Sequence, residues 1–168
     1  MNKNKQEIYL FTDGSVNPQS EMGFGAYLLL EKKEFFSPEL QMKTKIKKFD
    51  NTSSTKLELE TLLWALDEVS LKNFKIVVYT DCQNIVGLQK RRDGFESKNY
   101  MTSKGKLIKN HELYKTFFKR LDILDCEFIK VKGHKKSSIK NKIDEIFTLV
   151  DRASRYALRE AIAILNQT

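Results

Sequence analysis

Two stretches of this chain end an apolar run in Thr-Asp followed by a small residue: Thr12-Asp13-Gly14 and Thr80-Asp81-Cys82. Between them, a leucine-rich segment with helical spacing opens on a third carboxylate, Glu58. Taken singly, an aspartate behind a strand caps a turn or faces water. Thr55-x-x-Glu58 also fits a capping box, which accounts for the glutamate without any chemistry. Brought together, carboxylates repel one another and are costly to bury unless cations neutralise them. Oxygen ligands without a thiolate or histidine cluster suit Mg²⁺ or Mn²⁺ rather than zinc. Two such ions about 4 Å apart activate water and stabilise the leaving oxygen of a phosphodiester.

The elements that must position these groups follow from pattern. Glu7–Thr12 is a β-branched and aromatic run stopped by Asp13-Gly14, and Ser15–Met22, with Asn17-Pro18, is turn-rich. Gly23–Glu31 reads as a second strand and part of Glu34–Lys48 as a third, joined in an antiparallel meander. Leu59, Leu62, Leu63 and Leu66 mark a helix over Lys56–Ser70. Around that helix Glu58 and Glu60 flank the leucine face about 100° to either side, so periodicity does not choose between them. Phe74–Thr80 is a fourth strand, and a short helix from Gln83 to Arg92 is expected to stop near Asp93-Gly94. Asn110 is placed to cap a helix carrying Leu113, Tyr114, Phe117, Phe118 and Leu121. Cys126–Lys132 reads as a fifth strand ending at Gly133-His134, before a C-terminal helix from Ile143 to Leu165. The expected fold is one α/β domain over residues 1–168, a five-stranded mixed sheet flanked by helices. Its later strands run parallel to the first, which sets Asp13, Asp81 and His134 at the edge where open α/β sheets build sites.

Thirty Lys+Arg against 22 Asp+Glu leave a net charge of +8 and a pI near 9.4. That surplus suits a polyanionic partner, although a lysine-rich background composition gives the same balance. No apolar run nears the roughly 20 residues of a membrane span. The polar Met1–Gln6 leaves no room for a signal peptide. Cys82 and Cys126 make neither a disulfide framework nor a zinc site. A cytoplasmic, monomeric protein with reduced thiols and no membrane partner is expected.

Tyr9–Ser15, Lys56–Leu59, Val78–Gln83, Lys132–His134 and Val150–Arg155 together resemble the successive motifs of type I ribonuclease H. They occur in that family's order and span Glu7 to Arg159. The resemblance implies the ribonuclease H-like fold and cleavage of the RNA strand of an RNA–DNA hybrid, leaving 3′-hydroxyl and 5′-phosphate ends. It implies two Mg²⁺ ions, or Mn²⁺, held by Asp13, Glu58, Asp81 and a final aspartate, and it selects Glu58 over Glu60. His134 would assist proton transfer or product departure. For the final aspartate, the family's usual spacing from its histidine points to Asp144, whereas Asp151-Arg-Ala-Ser-Arg155 fits the family's local pattern. The two are seven residues apart, about 10.5 Å along one helix, so only one reaches the ions; the local pattern favours Asp151. Ser15, Asn17 and Gln83 match polar groups that touch the hybrid in the family. Ser53, Ser54 and Thr55 stand where many members carry asparagines, with Ser54 the candidate contact. Between Lys90 and Lys109 there are seven basic and two acidic residues. This stretch loosely resembles the family's basic protrusion and offers Lys90, Arg91, Arg92 and Tyr100 as contacts; a solvated linker is the plainer reading. A catalytically silent nucleic-acid-binding module and a DNA-cutting relative share the fold and stand as alternatives.

Overall fold

The computed structural model describes residues 4–68, 70–132 and 141–167. Strand β1 (Gln6–Asn17) alternates between two faces: Ile8 and Leu10 enter one core, Tyr9 and Phe11 the other. It does not stop at Asp13-Gly14. Antiparallel pairing with β2 (Met22–Leu30) carries it from Tyr9↔Leu30 to Asn17↔Met22, leaving a tight turn between. The Asn17 side chain closes that turn, its Oδ1 accepting from the backbone N–H groups of Gln19 and Ser20 at 3.0 and 2.9 Å.

After β2 come a single 3₁₀ turn (Lys32–Glu34) and α1 (Leu40–Lys43), so β3 (Lys45–Phe49) occupies only the end of the expected third strand. Leu40 is the reason: it is buried with Phe35 under the C-terminal helix. The remaining elements are α2 (Ser54–Glu68), β4 (Phe74–Thr80), α3 (Gln83–Leu88), α4 (Arg92–Ser97), α5 (His111–Ile123), β5 (Asp125–Lys130) and α6 (Lys142–Leu165). The sheet order is β3-β2-β1-β4-β5, with β4 parallel to both β1 and β5. This is the expected five-stranded mixed sheet.

Helices cover both faces. Leu59, Leu62 and Leu66 of α2 pack with Leu10, Ile76, Val78 and with Phe117 and Phe118 of α5. On the other face Ile146, Phe147 and Val150 of α6 pack on Phe11, Leu28 and Leu30. Leu62 is wholly buried, so truncating it to alanine would cost about 2–5 kcal/mol. Among the described residues no helix is long and apolar enough to cross a membrane.

The basic stretch departs from expectation. The chain does not leave the helical path at Asp93-Gly94 but passes through a 3₁₀ turn (Gln89–Arg91) into α4. Burial of Phe95 explains it: its ring stacks on Tyr114 at 5.3 Å and lies 5.9 Å from Tyr100. Tertiary packing overrides the local turn signal. Asn110 begins α5 as expected, but in a left-handed conformation (φ 65) and without a side-chain cap bond.

Candidate active site: carboxylates beyond the end of β4

β1 and β4 pair only from Gln6↔Phe74 to Phe11↔Tyr79, and β4 ends at Thr80. From Thr12 onward β1 therefore presents a flank without a β4 partner. Three carboxylates converge there. Asp13 from β1, Glu58 from α2 and Asp81 from the end of β4 each offer an oxygen, all within 4.8 Å of one another. Asp13 and Glu58 are buried, at 4% and 8% exposure, while Asp81 faces solvent.

Burial raises the Asp13 carboxyl well above the ordinary carboxylate range, and the charges of Glu58 and Asp81 push it further. Glu58 is raised for the same reasons, burial first and then Asp81, against a backbone N–H donated by Gly14. One Glu58 oxygen, Oε2, is buried with no hydrogen-bond partner. A buried, unpartnered carboxylate oxygen amid like charges, with only oxygen donors around it, fits a hard divalent cation. The residues that could hold one are Asp13, Glu58, Asp81 and Asp151.

Asp151 stands on α6, close enough for its carboxyl to add to the raising of Asp13, outside the trio gathered within 4.8 Å. Arg155 holds it one helical turn on, with Nε 2.8 Å from its Oδ1. Asp144 lies at the start of α6, where it forms a capping box with Asn141: its N–H donates to Asn141 Oδ1 at 2.9 Å, and its Oδ2 accepts from the Asn141 N–H at 3.1 Å. The capping reading of Glu58 does not hold, because α2 starts at Ser54 and Thr55 lies inside the helix. Glu60 is engaged elsewhere, accepting from Thr52 Oγ1 at 2.6 Å.

The remaining candidates divide. Ser15 Oγ lies 3.1 Å from Ser154 Oγ, tying β1 to α6 beside the cluster. Ser54 and Gln83 are exposed, and Asn17 sits at the turn after β1. A surface cavity of about 490 Å³ is lined by Gly14, Ser15, Ser54, Arg155 and Arg159 among others. Arg155 and Arg159 do not stand out as contacts in the sequence, although Asp151, Ser154 and Arg155 at i, i+3 and i+4 announce one helix face. Lys90 and Arg91 are exposed, Arg91 donating to Asn84 Oδ1 at 2.8 Å. Arg92 and Tyr100 are not brought to the surface as free groups. Arg92 grips Asp122 through two bonds of 2.6 and 3.0 Å and Glu96 at 2.8 Å, tying α4 to α5. Tyr100 is 7% exposed and packs on Phe95. His134 lies outside the described residues. Cys82 and Cys126 are free and half-buried.

Known proteins resemble this chain over most of its length. The ribonuclease H of Caldicellulosiruptor saccharolyticus is 28% identical over 144 residues, covering 84% of this chain and 93% of its own length. That of Chlorobium phaeobacteroides is 26% identical over 162 residues, covering 90% and 99%. Among solved structures, the solution structure of the PFV RNase H domain superposes with a TM-score of 0.66 at 16% identity, over 89% of this chain and 92% of its own. A foamy viral protease-reverse transcriptase in complex with dsDNA gives 0.61 at 12% identity, over 90% and 95%. The sequence profile of the RNase H family matches residues 5–151, a span that takes in Asp13, Glu58 and Asp81 with both Asp144 and Asp151, and the chain belongs to that family.

Proposed function

We propose that this protein is a ribonuclease H that cleaves the RNA strand of RNA–DNA hybrids endonucleolytically, leaving 3′-hydroxyl and 5′-phosphate ends. The observation that carries the reading is the oxygen cluster of Asp13, Glu58 and Asp81 within 4.8 Å, in a chain of net charge +8. Asp13, Glu58, Asp81 and Asp151 would hold two Mg²⁺ ions, with Mn²⁺ as a substitute. When bound, the ions supply Lewis acidity to the scissile phosphate and to the attacking water. With cations bound, buried Asp13 and Glu58 would give up their protons and supply negative charge, exposed Asp81 would form the rim on the substrate side, and Arg155 would orient Asp151. His134 would move the proton to or from the reacting oxygens.

Ser15, Ser54 and Gln83 are hydroxyl and amide groups suited to 2′-hydroxyls, which distinguish RNA from DNA. Asn17 uses its oxygen on its own turn, which leaves its amide N–H groups as donors. Lys90 and Arg91 would meet backbone phosphates. The protein would work as a single-domain monomer in the cytoplasm. The test is cleavage of an RNA–DNA hybrid, double-stranded RNA and double-stranded DNA, each with Mg²⁺ and with chelator. Mg²⁺-dependent cutting confined to the hybrid is expected. Equal cutting of double-stranded DNA, or cutting that survives the chelator, refutes the proposal.

A further inference from the structure

The face of the sheet beneath the start of α2 is bare. Gly14 pairs with Gly25 across β1 and β2, and Gly23 lies two residues along on the same face. None of the three needs glycine for its backbone, since none has a positive φ. What each lacks is room. A Cβ at Gly14 would lie 2.9 Å from the Leu57 side chain, and one at Gly23 would lie 2.7 Å from it. At Gly25 a Cβ would lie 2.1 Å from Thr61 Oγ1, 2.8 Å from its Cγ2 and 2.9 Å from its Cβ. Farther along β2 the same face carries Tyr27, whose ring meets Trp64 edge-on at 4.7 Å and whose hydroxyl reaches Glu68. Leu57, Thr61, Trp64 and Glu68 are spaced 4, 3 and 4 apart, one stripe of α2. That stripe rests on no side chain at its site end and on a large one at its far end. Glu58, adjacent to Leu57, is buried against Asp13 at the site end of that stripe.

We infer that Gly14, Gly23 and Gly25 form a trough that sets how deeply α2 seats, with the Gly25–Thr61 contact as its depth stop, and that this seating delivers Glu58 to the cation site. The inference rests on the proposal that Glu58 is a cation ligand, and it makes Gly25 and Thr61 positioning residues. Bringing a Cβ at Gly25 to an ordinary contact of 3.4 Å requires about 0.5 Å of lift against Thr61 Cβ, at 2.9 Å, and up to about 1.3 Å if Thr61 Oγ1, at 2.1 Å, keeps its place. A displacement of about 1 Å at reacting groups, caused from a distance, costs on the order of 100-fold in rate.

The test compares wild type, Gly25→Ala, Gly25→Ala/Thr61→Ala and the control Gly87→Ala, where nothing lies within 4 Å of the added carbon. Each is titrated with Mn²⁺, followed by thermal unfolding and calorimetry, and assayed on a hybrid. Gly25→Ala should raise the Mn²⁺ midpoint at least about tenfold and lower kcat on the order of 100-fold, with KM for the hybrid within about twofold of wild type. Thr61→Ala in the same chain removes the 2.1 and 2.8 Å contacts and leaves only the 2.9 Å contact with the Cβ of residue 61, so it should return both quantities part of the way to wild type, and Gly87→Ala should change neither. If Gly25→Ala alone does not fold, the double variant decides. An unshifted Mn²⁺ midpoint in Gly25→Ala, or a double variant that stays unfolded or blind to the cation, overturns the inference. A wild type that neither binds Mn²⁺ nor cuts hybrid sinks the functional reading instead, so the two failures are distinguishable.

Discussion

Replacing Asp13 by asparagine should stabilise the cation-free protein at alkaline pH even as it destroys the cation site. Asp13 is 4% exposed, and its carboxyl is raised by burial and by Glu58 and Asp81. A raised folded-state value means that the folded chain holds a proton which the unfolded chain has already shed. Stability is then greatest below the unfolded carboxylate range and falls as pH climbs toward the raised folded value. One such proton gives a slope of about 1.4 kcal/mol per pH unit, so between pH 5 and pH 8 Asp13 accounts for at most about 4 kcal/mol. For a chain of this size that is roughly 10 °C in Tm. Asparagine cannot ionise, so the variant should show a visibly flatter fall. The assay is thermal unfolding in chelator at pH 5, 6, 7 and 8, repeated with saturating Mg²⁺. In Mg²⁺ the order should reverse, because cation binding stabilises the wild type alone. The slope is decisive, since an amide buried in place of the carboxyl shifts the whole curve by a constant. If Asp13→Asn falls with pH as steeply as wild type in chelator, the assignment of the excess proton to Asp13 rather than Glu58 is refuted.

Three further outcomes are expected. Asp151→Asn should abolish cleavage of a hybrid, whereas Asp144→Asn should keep it and lose no more than about 1 kcal/mol of stability from the helix cap; the reverse ranking would transfer the ligand role to Asp144. Neutralising Lys90 and Arg91 should reduce the log–log salt dependence of hybrid binding by about 0.9 for each phosphate they neutralise, and an unchanged slope would place them away from the substrate. Arg92→Ala should leave that slope alone and instead lower the unfolding free energy by on the order of 1 kcal/mol, because its guanidinium is spent on Asp122 and Glu96; a flattened salt slope would return it to the substrate.

Whatever depends on local pattern is legible in the sequence. Phe74–Thr80 is a strand with those same bounds, because a dense apolar run between polar residues leaves little choice. The convergence of Asp13, Glu58 and Asp81 is legible too, through motif order and strand-end position. What is not legible depends on partners distant in sequence. Asp13-Gly14 signals a stop, yet β2 supplies hydrogen bonds through Asn17 and the strand runs on. Thr55-x-x-Glu58 satisfies a capping pattern, yet α2 begins earlier and a different glutamate answers Thr52. Tyr100 reads as a surface contact amid lysines; only the fold brings Phe95 against it, with Tyr114 stacked on the other ring. Asp144 and Asp151 share a helix face, and choosing between them requires knowing which turn of α6 passes Asp13.

β3 forms one margin of the sheet and is five residues long, with Lys45, Lys47 and Lys48 exposed along it. An unpaired strand margin is a template on which another chain can add itself, and short length with lysines is how sheets discourage this. Two copies meeting margin to margin through β3 would set ammonium groups against ammonium groups. The same positive fringe that suits a polyanion thus also acts as a guard against fibrous growth.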